Sequence, residues 1–256
     1  MRKILIAGLV NLAVLPSAAA AGPVDPVVPL AIDARGGVAV AVRVNDAGPF
    51  TFILDTGASR SIVSDDLAGE LGAPVVAQSE VVTSAGSEMR VVVRLASITL
   101  ASARVNALLA PVLPAARLRR LGRGVRGLLG QDFLSAFNYT LDYRRRRLTW
   151  DEPLTCDRPG AVRMAAVEGR FVLVADADHA GRVRLVPDSG AEVAVLFGGG
   201  GAGPRLSEFR VGGVTLVDVP VAVVDREEPD VDGLLPLHRF RAVSFAAGGS
   251  CLLVRQ

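Results

Sequence analysis

The chain has 256 residues, half of them hydrophobic but only 5% aromatic, so Val, Leu and Ala must fill its core. The length allows one large domain or two small ones. With 28 Lys and Arg set against 26 Asp and Glu, the formal net charge is +2. The basic residues are scattered among acidic ones, which excludes the concentrated positive footprint of a nucleic-acid-binding protein.

Met1-Arg2-Lys3 is a short basic start, followed by an apolar run from Ile4 to Leu15 and by the small residues Ser17 to Ala21. This order is that of a secretory signal peptide over residues 1–21, cleaved near Ala20 or Ala21. The apolar run is about 12 residues long, against the ~20 that a membrane span needs. No cysteine stands at the cleavage site to carry a lipid, and no other segment is apolar enough to span. The expectation is an exported protein, periplasmic or secreted, without stable membrane insertion after cleavage. Arginine almost entirely replaces lysine, a compositional hint of a GC-rich bacterial genome.

Gly22 to Pro29 is Pro-rich and extended. Val38 to Val44 alternates large and small residues and predicts a strand. Asn45-Asp46-Ala47-Gly48 predicts a hairpin turn, with Thr51 to Leu54 as the returning strand. That strand ends on Asp55-Thr56-Gly57-Ala58-Ser59. A carboxylate is rarely placed at the end of an apolar strand unless it is hydrogen-bonded or paired. Thr56 can support the carboxylate, and Gly57 permits a tight turn and the close approach of another backbone. Ser64 caps a short helix, with Asp65 and Asp66 in its first turn and Gly72 past its end.

Val81 to Val93 predicts a hairpin whose polar tip is Ser84-Ala85-Gly86. Ile98 to Leu100 and Val105 to Leu109 are further strands. The segment from Pro111 to Arg126 carries Arg117, Arg119, Arg120, Arg123 and Arg126 and reads as a solvated basic face. Gly127 to Phe137 is an apolar strand followed by a short helix. Tyr139 to Tyr143 and Leu148 to Trp150 form a hairpin around the run Arg144 to Arg147, which reads as a solvated turn. Residues 151–160, with Pro153 and Pro159, are a linker.

The remainder repeats the plan. Asn45 to Gly57 aligns without a gap on Asp178 to Gly190, so that Asp188-Ser189-Gly190-Ala191 falls on Asp55-Thr56-Gly57-Ala58. Gly127-Leu128-Leu129 follows the first copy, and Gly233-Leu234-Leu235 follows the second. This consistent order is an internal duplication of one β-rich unit. The interval from Asp188 to Gly233 is the shorter of the two. The hairpin and the basic segment are what it lacks, and Gly198 to Gly203 is the shortened connection.

Leu54-Asp55-Thr56-Gly57-Ala58-Ser59 and Leu128-Leu129-Gly130-Gln131-Asp132-Phe133-Leu134 resemble the motifs of the aspartic peptidases, both the retroviral and the two-lobed pepsin type. The resemblance covers most of the chain beyond the leader. It implies an all-β, two-lobed acid-protease fold with a few short helices. The N-terminal lobe is residues 22–150, with a flap at Ser84, Ala85 and Gly86. A shorter, flapless C-terminal lobe is residues 161–256.

It also implies an aspartic endopeptidase whose catalytic pair is Asp55 and Asp188. Thr56, Gly57, Ser189 and Gly190 would brace the pair, and the substrate would be a peptide or protein. Two carboxylates sharing one proton can serve as base toward water and as acid toward the leaving group. This chemistry calls for no cofactor and no metal. The chain offers only His179 and His238, and neither H-E-x-x-H nor G-x-S-x-G, so other hydrolytic mechanisms lack parts.

The second lobe departs from the family pattern at three points. Pro187 precedes the aspartate, Glu192 stands where Ser or Thr is the rule, and Pro236 takes the place of a glycine. Two other arrangements therefore stand beside the intramolecular monomer. One is a homodimer pairing Asp55 with Asp55, and the other is a non-catalytic periplasmic peptide-binding module. Cys156 and Cys251 either form a disulfide between the linker and the last strand or remain two buried thiols.

Overall fold

Alternation explains most of the strands. In Val38–Val44 the valines at 38, 40, 42 and 44 are all buried while Ala41 and Arg43 face out, the period of two that a half-buried strand demands. The computed structural model describes residues 27–83, 86–151, 153–178, 180–198, 205–225 and 228–256. The expected leader, residues 1–21, lies outside the described residues.

The first unit contains β1 (Val27–Pro29), β2 (Ala31–Ile32), β3 (Val38–Val44), β4 (Ala47–Leu54) and β5 (Ile62–Ser64). Then come α1 (Asp65–Glu70), β6 (Val75–Thr83), β7 (Gly86–Leu100), β8 (Ala103–Leu113) and α2 (Ala115–Leu118). β9 (Val125–Leu129), α3 (Gln131–Leu134), β10 (Tyr139–Asp142) and β11 (Arg147–Trp150) follow. The second unit contains β12 (Ala161–Val167), β13 (Arg170–Ala177), β14 (Gly181–Asp188), β15 (Ala194–Phe197), β16 (Arg205–Val211) and β17 (Val214–Val224). It closes with β18 (Gly233–Pro236), β19 (Ala242–Phe245) and β20 (Cys251–Arg255). Almost all the regular structure is strand, so the fold is all-β, as the resemblance implies. Ser64 caps α1 as expected, its hydroxyl accepting from Leu67 N–H.

The duplication shows in the topology. The first sheet runs β3-β4-β9-β5-β8-β7 and closes by a β3–β7 pairing; the second runs β13-β14-β18-β15-β17-β16 and closes by β13–β16. In both, the strand bearing the aspartate lies parallel to the one bearing the Gly-Leu-Leu run, with Phe52 opposite Gly127 and Leu185 opposite Gly233. Both glycines are required by close approach. A Cβ on Gly127 would sit 2.5 Å from Ile62 O, and one on Gly233 would sit 1.9 Å from Val195 O. β6 and α1 have no counterpart in the second sheet among the described residues, so the β6–β7 hairpin is peculiar to the first unit. Its strands pair from Val75–Val93 to Thr83–Gly86; the expected tip residues Ser84 and Ala85 lie outside the described residues.

The two units meet in a shared antiparallel sheet of order β1-β11-β10-β19-β20-β12. β10 and β11 belong to the sequence of the first unit but hydrogen-bond with the end of the second. Thr140 faces Ser244 and Leu141 faces Val243 across the junction. One face of this sheet sends Tyr139, Leu141, Leu148, Val243, Phe245 and Leu252 into the core common to both units. Cys156 and Cys251 form a disulfide with Cα atoms 5.5 Å apart. It fastens the linker to β20.

Candidate active site

Asp55 and Asp188 each follow or end a strand of opposite units, and the two turns interlock. Thr56 N–H donates to Ser189 Oγ at 3.0 Å, and Ser189 N–H donates to Thr56 Oγ1 at 2.9 Å. Each hydroxyl in turn donates to the carbonyl just before the other aspartate: Thr56 Oγ1 to Pro187 O at 2.8 Å, and Ser189 Oγ to Leu54 O at 2.7 Å. Both side chains are 1% exposed. Four buried hydrogen bonds fix the two turns face to face.

The consequence is that the carboxyl groups share one space. A Cβ built on Gly190 would lie 3.2 Å from Asp188 Oδ1 and 3.7 Å from Asp55 Oδ1, and one built on Gly57 would lie 2.7 Å from Asp188 Cγ. At Gly57 a side chain would collide with the Asp188 carboxyl, and at Gly190 that carboxyl would have to give by a few tenths of an ångström. The backbone also holds the carboxyls. Gly57 and Ala58 N–H each donate to Asp55 Oδ1 at 3.0 Å, and Gly190 N–H donates to Asp188 Oδ1 at 2.7 Å.

Asp188 is 9% exposed. Its burial, together with the nearby charge of Asp55, pushes its pKa up to about 7. Burial also raises Asp55, opposed by the two backbone N–H donors at its oxygen. Two close carboxyls in a dry setting cannot both ionise cheaply, so the pair keeps one proton well above the ordinary carboxylate range.

Several supporting residues carried no role in the sequence reading. Gln131 donates its amide to Thr56 O at 2.8 Å, and its backbone N–H donates to Ala58 O at 2.9 Å. Asp132 accepts from Ser61 N–H at 2.8 Å and Ser61 Oγ at 2.6 Å, while Ser61 Oγ accepts from Gly130 N–H at 3.1 Å. The Leu-Leu-Gly-Gln-Asp run thus clamps the loop that carries Asp55. Tyr143 has a buried hydroxyl without a protein partner, and burial together with the charge of Asp188 holds this phenol well above its usual range.

The three departures of the second unit are each accommodated. Pro187 lies beyond the last β13–β14 pair, Leu173–Leu185, and its carbonyl accepts the Thr56 hydroxyl. Pro236 ends β18 at φ −70° and leads into the helical turn Leu237–Arg239, the fixed φ that proline supplies. Glu192 pairs with Arg35 of the β2–β3 turn at 3.0 Å, an exposed contact between the two units. Three of the five arginines from Arg117 to Arg126 are held in ion pairs. Arg117 pairs with Glu88, Arg119 with Asp66 at 3.0 Å, and Arg126 with Glu70 at 2.8 Å, as a solvated face would.

Comparison with known proteins agrees with this geometry. A family model described as aspartyl protease matches residues 40–133, the span from β3 to α3 that holds Asp55 and its clamp. No curated protein sequence matches the chain. Among solved structures, one titled as edgp is similar over 90% of this chain and 95% of its own, at 10% identity and a TM-score of 0.57. It shares the fold of both units. A retropepsin-like aspartic protease from Rickettsia conorii is similar over 48% of this chain and 87% of its own, at 19% identity and a TM-score of 0.36. Over residues 40–133, the segment that bears Asp55, the chain is similar to the aspartyl protease family.

Proposed function

We propose that the protein is an exported aspartic endopeptidase that works as a monomer, with one water held between Asp55 and Asp188. The observation that carries this reading is the reciprocal Thr56–Ser189 lock, which aims carboxyls from both units at one point. The Asp188 turn fills the place that a second chain would otherwise have to supply, so no partner copy is required.

Burial raises both carboxyls, so the pair holds one proton in the working state. With that proton on Asp188, Asp55 is the carboxylate; the mirror assignment is chemically equivalent. Asp55 takes a proton from the water as its oxygen attacks the peptide carbonyl carbon, and Asp188 donates to the carbonyl oxygen. The tetrahedral intermediate then collapses: the proton gained by Asp55 passes to the departing amine, the C–N bond breaks, and a hydroxyl proton of the forming carboxyl product returns to Asp188. In this reading the β6–β7 hairpin closes over the substrate as a flap. Export is supported by the basic and apolar leader and by the Cys156–Cys251 disulfide, a bond that persists in oxidising compartments.

The test is cleavage of a quenched-fluorescence peptide library by the mature chain and by Asp55→Asn and Asp188→Asn. Both variants are expected to lose activity, and a statine-type peptide is expected to inhibit the parent. Full activity in Asp188→Asn would refute the intramolecular pair and leave pairing of Asp55 between two chains. Peptide binding without turnover by the parent would leave a binding module. Export is tested separately by fractionating the expression host, with retention of the uncleaved chain in the cytoplasm as the contrary result.

A further inference from the structure

The shared sheet has a second face, and it is polar. Alternation places Thr149, Thr140 and Ser244 in one row across β11, β10 and β19, and Arg147, Asp142 and Arg255 in the next row across β11, β10 and β20. Side chains at the intervening positions enter the core. Thr140, Asp142 and Ser244 are buried all the same, because the linker after β11 crosses this face. The disulfide from Cys156 to Cys251 pins that linker down. Between sheet and linker lies a cavity of about 410 Å³, to which Arg158 of the linker and Arg145 of the β10–β11 turn also contribute. It shares no residue with the Asp55–Asp188 site.

The charges in this cavity do not balance. Asp142 accepts from Arg145 N–H at 2.8 Å and from the Arg145 guanidinium at 3.1 Å. Asp151 accepts from the hydroxyls of Thr140 and of Thr149. Both carboxylates are therefore satisfied within the cavity wall. Arg158 and Arg255 enter no ion pair among the described residues, and Arg147 Nε is buried without a hydrogen-bond partner. Four guanidinium groups thus face two occupied carboxylates. A buried donor left without an acceptor is costly, and planar guanidinium forks match the oxygens of phosphate better than any other side chain does.

We propose that this cavity binds a phosphate monoester group, with Arg147, Arg158 and Arg255 as its donors. Two bound negative charges offset the excess of two positive ones, and the volume lies in the range of small-molecule sites. The group can come from a soluble phosphate ester or from the headgroup of a lipid at a membrane surface. The chemistry at the cavity is the same.

The experiment uses the mature chain with its disulfide intact, at pH 7.5, where a phosphate monoester is a dianion. Isothermal titration with glycerol 3-phosphate and with inorganic phosphate reads the soluble source. Co-sedimentation with phosphatidylcholine vesicles, with and without phosphatidic acid, reads the lipid source. The expected result is saturable binding at one site per chain in one of these arms. Arg158→Gln and Arg255→Gln should each weaken it about tenfold, the loss of one charge-assisted hydrogen bond. Both residues are exposed, so neither substitution threatens folding. Arg120→Gln, in the basic segment before β9, should leave binding unchanged. Absence of saturable binding in every arm overturns the proposal, as does binding that the three variants weaken equally.

Discussion

Replacing Ser189 by Ala removes one oxygen from the interlocked turns and strands two backbone groups. Thr56 N–H loses its acceptor and Leu54 C=O loses its donor, both inside a region where Ser189 is 1% exposed. At ~1–3 kcal/mol for each buried polar group left unpaired, the substitution should cost roughly 2–6 kcal/mol. That is a large share of the ~5–15 kcal/mol that holds a typical domain folded. Urea unfolding followed by the fluorescence of Trp150, the only tryptophan, reads this directly. Trp150 packs on Phe137 with ring centroids 5.1 Å apart, at the shared sheet. The midpoint should fall with little change in the slope.

Thr56→Val removes the other hydroxyl and strands Ser189 N–H and Pro187 C=O. The double variant should lose less than the sum of the single losses, because a junction already loosened admits water to the remaining groups. A loss below about 0.5 kcal/mol for Ser189→Ala, within the range of unremarkable surface changes, would refute the claim that these bonds clamp the two units. So would strict additivity in the cycle.

Other expectations rest on different contacts. Asp188 has a folded-state pKa of about 7, above its ordinary 3.8, so the folded chain holds the extra proton and stability falls as pH rises between those values. Asp188→Asn removes this dependence. The variant should gain on the parent from pH 4 to pH 8, by on the order of 4 kcal/mol at most, and parallel urea curves across that range would contradict the raised pKa. Peptide cleavage should fall on the alkaline side near pH 7 as the pair loses its proton; a rate still rising at pH 9 would exclude it. Gly57→Ala would bring a methyl within 2.7 Å of Asp188 Cγ, so cleavage should drop at least a hundredfold while circular dichroism stays unchanged. Reduction of Cys156–Cys251, whose residues are 95 apart in sequence, should cost about 4–5 kcal/mol in the chain-entropy model. An unchanged melting temperature in reductant would set that account aside.

The local pattern of the chain carried much of its architecture. Alternating valines announced β3, the apolar run into Asp55 announced a strand ending in a tight turn, and the ungapped match of residues 45–57 on 178–190 announced two copies of one unit. These features are legible because strand period, turn residues and repetition are written along the chain itself. What sequence left open concerned pairs of distant groups. Whether Pro187 and Pro236 spoil the second turn depends on which neighbour each faces: β13 stops pairing with β14 at Leu185, while both prolines stay within the parallel β14–β18 ladder, opposite Leu235 and Asp188. Whether Cys156 and Cys251 meet depends on the linker crossing the shared sheet.

The roles of Gln131, Asp132 and Ser61 were hidden because their partners stand about 70 residues away and become neighbours only when β9 lies beside β4 and β5. The arginine run before β11 looked like a solvated turn for the same reason. Nothing in Arg144 to Arg147 tells that a linker and a second unit's last strands enclose one side of it. Composition and periodicity therefore decided that there would be strands, how many copies, and which aspartates end them. Only the folded chain decided that Thr56 and Ser189, 133 residues apart, would exchange hydrogen bonds. A hydrogen bond depends on two groups arriving together, and no stretch of sequence contains both.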